Sequence, residues 1–132
     1  MLRSIAAVIA GLAVMIVLVV VFGVIAAAVI FPGDADRAPA DPTTAWLVVN
    51  MAYSFAAALA GGWVTARIAI RKKMGHAAAL ALVVFLLAVP GIVTGPAAGQ
   101  PAWYAIVIAG IGVLGVLTGG RLGSREATAV LA

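Results

Sequence analysis

Four long apolar segments, joined by short polar segments, make up most of this chain. An α-helix needs about 20 consecutive apolar residues to cross a bilayer, and each segment is close to that length or longer. All the acidic residues lie outside the four segments. The pattern therefore predicts an all-α integral membrane protein, whose four transmembrane helices cover residues 5–31, 43–70, 76–93 and 102–122.

The polar segments divide the chain into two helical pairs within a single transmembrane domain, 1–132. The second helix is predicted to begin with Asp41 as its N-cap and Pro42 at the first helical position. The turn between the second and third helices is so short that an antiparallel hairpin is required. The expected connections are outer loops over 32–42 and 94–101, an inner turn over 71–75 and a cytoplasmic tail over 123–132.

Composition narrows the class further. Hydrophobic residues form 66% of the chain and charged residues 9%, against about 25% charged in a usual globular domain. With no cysteine and a single histidine, disulfides, cysteine metal sites and multi-histidine metal sites are excluded. Neither a catalytic triad nor a phosphate-binding loop is present. We therefore expect no enzymatic activity, no metal and no cofactor.

Basic residues predict the orientation, because Lys and Arg in short loops stay on the cytoplasmic side. Arg37 alone lies on the opposite side, so both termini are expected in the cytoplasm. The net charge of +4 is interpreted as topology and contact with anionic lipid rather than nucleic-acid binding. His76 is either a pH sensor or a solvated interfacial residue. A cytoplasmic basic rim is predicted from Arg67, Arg71, Lys72, Lys73, His76 and Arg121.

A weak internal repeat relates the two halves of the chain. Gly61-Gly62 aligns with Gly119-Gly120 at an offset of 58 residues, and the same offset places Pro32-Gly33 on Pro90-Gly91. Such matches suggest two hairpins arranged as a parallel repeat about an axis along the membrane normal. Chance alignment of Gly and Ala in so apolar a sequence is the alternative.

Glycines at helical spacing indicate close packing, since helices in lipid associate across small residues. Such a glycine zipper on the second and fourth helices would either close within one chain or pair with a neighbouring copy in a homo-oligomer. The helix-packing candidates are Gly61, Gly62, Gly112, Gly115, Gly119, Gly120 and Gly123.

Polar residues inside a span are costly and usually face inward. On the second helix a stripe of them recurs at helical spacing. The stripe either lines a path for a solute or forms hydrogen bonds that hold neighbouring helices together, and we favour the second interpretation. Its members are Asn50, Tyr53, Ser54 and Thr65.

Several short segments form a recognisable pattern, including Gly61-Gly62-Trp63 followed by Ala66-Arg67, then Pro101-Ala102-Trp103-Tyr104, and Gly119-Gly120-Arg121-Leu122. This pattern resembles that of a group of small, uncharacterised four-helix proteins of the bacterial inner membrane. The resemblance implies location and architecture but no activity. We expect a structural or accessory inner-membrane protein that self-associates or binds a larger membrane-protein partner. The alternative is a passive channel or facilitator for a small neutral or anionic solute.

Overall fold

Four helices form the architecture of the chain. The computed structural model describes residues 2–34, 43–69, 72–96 and 99–129, with side chains described from residue 4 to residue 125 within those ranges. The elements are α1 (Leu2–Ile30), α2 (Thr44–Ile68), α3 (Lys73–Thr94) and α4 (Ala102–Ala129). Every regular element in the described ranges is a helix, which confirms the predicted all-α class.

Each helix is long and apolar enough to cross a membrane, judged by length and composition. The candidate spans have 27, 25, 22 and 24 residues. At a rise of about 1.5 Å per residue, all four exceed the hydrocarbon core of about 30 Å. The prediction of four membrane-length helices is therefore confirmed.

The start of α2 differs from the expected one. Thr43 is the N-cap, and its hydroxyl accepts a hydrogen bond from the Trp46 backbone N–H at 3.3 Å. The expected cap, Asp41, and Pro42 lie outside the described residues, as does the rest of the predicted outer loop from residue 35. A threonine hydroxyl can accept a hydrogen bond from the same unpaired backbone N–H groups as an aspartate carboxylate, so Thr43 caps the helix two residues after the predicted position.

The ends of α3 and α4 also require correction. α3 already begins at Lys73, after Lys72 in the left-handed conformation (φ 50°), so it takes in part of the predicted 71–75 turn. Pro90 lies inside α3, and the helix continues to Thr94. α4 was expected to end at Leu122 but continues to Ala129, through most of the predicted tail. A glycine inside a helix lowers helix stability by only about 1 kcal/mol relative to alanine, so Gly123 does not end α4.

The core consists of small and branched side chains drawn from several helices. Ala58, Leu80 and Val116 are fully buried, and α1 contributes Leu12 and Met15 at the edge of this cluster. The most extensive interface joins α2 and α4, while α1 packs on α2 and α3 packs on α4. α1 and α3 touch each other far less. The bundle is thus built on a central α2–α4 pair, and a lightly packed seam separates α1 from α3.

Candidate functional site

Glycines allow α2 and α4 to approach each other closely. A β-carbon added to Gly62 would overlap the carbonyl oxygen of Val116, and one added to Gly119 would overlap the carbonyl oxygen of Leu59. Each helix therefore presents a glycine to the backbone of the other. Backbone cannot move aside as a flexible side chain can, so both positions require glycine.

Further glycines of α4 extend the same contact in both directions. A β-carbon on Gly115 would lie 2.7 Å from the Ala58 Cβ, and one on Gly123 would lie 2.8 Å from the Trp63 carbonyl oxygen. The two small-residue faces thus meet within one chain, which was one of the two alternatives for them. A second copy cannot use these faces while they are in contact.

The other glycines singled out from the sequence face different helices. Gly61 lies against α1, where its added β-carbon would be 2.8 Å from the Gly11 carbonyl oxygen. Gly112 and Gly120 face α3, against the side chains of Val84 and Ala77. The seven candidates therefore divide among three interfaces. Gly11 was not among them, because only its register against Gly61 and Thr65 makes it a close-contact position.

The polar stripe on α2 separates into two parts. In the first, the Asn50 amide donates to the Tyr53 hydroxyl at 2.7 Å, and the Ser54 hydroxyl donates to Asn50 Oδ1 at 3.2 Å. These hydrogen bonds run within α2 and do not bridge to another helix. The Tyr53 ring faces α1, with its centroid 6.5 Å from that of Phe22. We refer to Asn50, Tyr53 and Ser54 as the polar cluster.

Thr65 stands apart from the polar cluster. Its side chain is fully buried, and its hydroxyl donates to the Gly61 carbonyl at 2.9 Å. A β-carbon on Gly11 would overlap this hydroxyl, so Thr65 fills the α1–α2 interface. The stripe is thus closed by packing at Thr65 and does not form one continuous path along α2.

Two cavities lie along the seam between α1 and α3. The mid-span cavity, of about 300 Å³, is walled by all four helices, including Met15, Ser54, Leu87 and Ala109. Among the described residues that line it, Ser54 is the polar one. The end cavity, of about 320 Å³, is lined by Ser4, Ile5, Val8, Ile9, His76 and Ala79.

The basic residues gather at the end of the bundle that holds the end cavity. Arg67 lies over the Trp63 ring, its guanidinium carbon 4.7 Å from the ring centroid. The His76 Nδ1–H donates to the Lys72 carbonyl at 3.1 Å. Lys73 is half-buried and Arg121 is exposed. Arg71 of the predicted basic rim lies outside the described residues.

The described residues hold no group of three or more His, Asp or Glu that could bind a metal ion. Their buried side-chain polar atoms all have hydrogen-bond partners. The site therefore offers close helix packing, two mainly apolar cavities and one basic end. Comparisons with protein-family models, curated proteins and solved structures give no match for this chain.

Proposed function

We propose that this chain is a small structural or accessory protein of the bacterial inner membrane, and that it acts through association rather than chemistry. The observation that carries this proposal is the inward placement of the seven helix-packing glycines, which are engaged between the chain's own helices. The polar cluster is half-buried and hydrogen-bonded within α2, and large apolar side chains are left on the outside. The surface available to another membrane component is thus the outer, apolar one, formed by residues such as Val17, Leu86 and Ile106.

The contacts support an arrangement of two antiparallel hairpins. Along α2 and α4, Phe55, Leu59 and Trp63 meet Gly115, Gly119 and Gly123 in the same order, so the two helices run parallel. Along α1 and α2 the order is reversed, since Gly11 meets Thr65 and Gly23 meets Tyr53.

The register of the α2–α4 contact also bears on the internal repeat. The Gly62–Val116 contact joins residues that are fewer than 58 positions apart in the sequence. The Leu59–Gly119 contact joins residues that are more than 58 positions apart. The glycines that the alignment pairs nevertheless face different helices, since Gly61 lies against α1 and Gly119 against α2. The duplicated hairpin therefore stays a proposal that rests on the sequence alignment.

Charge supports the proposed orientation, with both termini in the cytoplasm. Arg67, Lys72, Lys73 and Arg121 lie at one end of the helices, whereas Asp34 follows α1 at the other. Positive charge resists translocation, so the basic end belongs on the cytoplasmic side. The resemblance to small inner-membrane proteins of bacteria points to the same membrane.

Photo-crosslinking in native membranes tests the association. A benzophenone amino acid is placed singly at Val17, Val48, Leu86 or Ile106, all more than half exposed and one on each helix. We expect one helix face to give a discrete protein adduct on illumination and the others to give lipid adducts only. Unilluminated samples are the control, and the same variant reconstituted alone at low density separates self-association from a different partner.

A passive facilitator for a small neutral or anionic solute is the second candidate. Its specific support is Ser54, which places a hydroxyl on the wall of the mid-span cavity, to which all four helices contribute. Liposome flux assays on the wild type and on Asn50→Leu distinguish the two candidates. Flux that depends on Asn50, combined with no protein adduct at any of the four positions, would replace the accessory function with this one.

A further inference from the structure

The seam between α1 and α3 is lightly packed, and the mid-span and end cavities both lie along it. The end cavity lies beside the basic residues, between the start of α1 and the start of α3. The mid-span cavity follows further along the same two helices, from Leu12 to Val20 on α1 and from Val84 to Ala88 on α3. The fully buried Leu80 of α3 would meet a β-carbon on Gly11 of α1, so the two helices are in contact at this level.

We propose that this seam is a binding site for one anionic phospholipid. The phosphate binds at the basic end, near Lys73 and His76, and one acyl chain extends along the seam through the end cavity into the mid-span cavity. The proposal rests on the membrane placement given under the proposed function, but it does not require a protein partner.

The length of the seam fits a chain from one leaflet. From His76 to Leu87 along α3 the distance is about 16 Å at a helical rise of about 1.5 Å per residue. The hydrocarbon core is about 30 Å thick, so the seam reaches from one interface to the middle of the bilayer. An acyl chain whose headgroup lies at the basic interface spans this depth. The headgroup itself stays outside the hydrocarbon core.

The lining selects a hydrocarbon chain over water or a polar solute. Ile5, Val8, Ile9 and Ala79 form the walls of the end cavity. Leu12, Met15, Ile16, Val84 and Leu87 continue them around the mid-span cavity. Apolar walls of this kind favour a hydrocarbon chain over a polar solute, because apolar contact is favourable and a polar group without a hydrogen-bond partner is costly.

Charge complementarity selects the headgroup. His76 of α3 and Ser4 of α1 line the end cavity, and Lys72 and Lys73 lie one helical turn before His76. No carboxylate opposes them among the side chains that the structure describes at this end. Basic pockets between transmembrane helices bind anionic headgroups in this way. A phosphatidylglycerol is therefore preferred to a zwitterionic phosphatidylcholine.

Native mass spectrometry of the full chain tests the proposal. The protein is extracted in mild detergent and offered an equimolar mixture of phosphatidylglycerol and phosphatidylcholine. We expect one retained phosphatidylglycerol per chain. Lys73→Gln should lower that preference about fivefold, the effect of one basic residue near an anionic surface. Ala79→Phe and Ala88→Phe, which fill the end and mid-span cavities, should abolish retention.

Matched controls separate the site from general effects. Ala56→Phe makes the same change on an exposed position of α2 outside both cavities, and Arg125→Gln removes the same charge from α4. Both should retain the lipid. The proposal is overturned if the two lipids are retained equally, or if Ala79→Phe and Ala88→Phe, with circular dichroism of the folded wild type, still retain it.

The test is separable from that of the accessory function. Loss of lipid retention with unchanged protein crosslinks would remove the lipid site alone. Retained lipid without any protein adduct would leave the lipid site standing and remove the association.

Discussion

Gly62 and Gly119 are positions at which the fold cannot accommodate even a β-carbon. Each faces a carbonyl group of the opposing helix, Val116 for Gly62 and Leu59 for Gly119. In lipid, close backbone approach is a main source of helix association, because lipid tails compete equally for apolar side chains. A single methyl group at either position must therefore separate the two central helices.

We expect Gly119→Ala to destabilise the folded chain. Inserting a methyl group into a packed interface costs about 1–3 kcal/mol, and here the obstacle is backbone. The measurement is the free energy of unfolding by denaturant titration in mixed micelles. Gly119→Leu should be worse than Gly119→Ala in the same assay.

Gly110→Ala is the matched control on the same helix. A β-carbon at Gly110 meets no atom within 4 Å. Alanine is favoured over glycine in a helix by about 1 kcal/mol, so this variant should be neutral or slightly stabilised. Equal losses in Gly110→Ala and Gly119→Ala would show that glycine matters for the helix itself and not for the α2–α4 contact.

On α2, the polar residues differ in what they hold together. The polar cluster is hydrogen-bonded within its own helix and is only half-buried, whereas Thr65 is fully buried against α1. Helical spacing places all of them on one side of α2 but does not reveal which partners they choose. From the sequence, we favoured hydrogen bonds between helices for these residues. The hydrogen bonds described for them in the structure stay within α2.

Asn50→Leu should therefore cost little stability. Polar contacts between membrane helices contribute about 0.6 kcal/mol on average, and Asn50 bonds only to groups of α2 in the described contacts, Tyr53 and Ser54. We expect a loss below about 1 kcal/mol in the same unfolding assay. Thr65→Leu is the comparison. The leucine side chain is larger than threonine's and has no room beside Gly11, so this variant should lose about 1–3 kcal/mol of stability. A loss in Asn50→Leu as large as that in Thr65→Leu would contradict this assignment.

The helices themselves were predictable, and several of their ends were not. Long acid-free apolar runs predict membrane-length helices because only a helix satisfies its own backbone in lipid. The end of α4 depends on packing, since Gly123 lies against the Trp63 carbonyl and the helix continues past it. Likewise, Gly11 becomes important only through the register of α1 on α2. A single sequence carries no direct record of that register.

For the molecule as a whole, the two ends differ in charge and in access to the seam. The end cavity opens beside the basic residues, and Asp34 lies at the opposite end of α1. Orientation in the membrane therefore decides which leaflet can supply a lipid to the seam. With the basic end in the cytoplasm, the lipid comes from the inner leaflet, where the anionic surface potential attracts basic segments.

Single cysteines can establish this orientation, because the chain contains none of its own. Asp34 and Arg125 are both exposed and lie at opposite ends of the bundle. A membrane-impermeant maleimide added to spheroplasts should label Asp34→Cys and should label Arg125→Cys only after the membrane is opened. Since the positive-inside rule depends on many basic residues, the loss of one at Arg125 should leave the orientation unchanged. Labelling of Arg125→Cys in sealed spheroplasts, with Asp34→Cys protected, would invert the orientation and move the lipid source to the outer leaflet. Labelling of both would show that the chain inserts in two orientations.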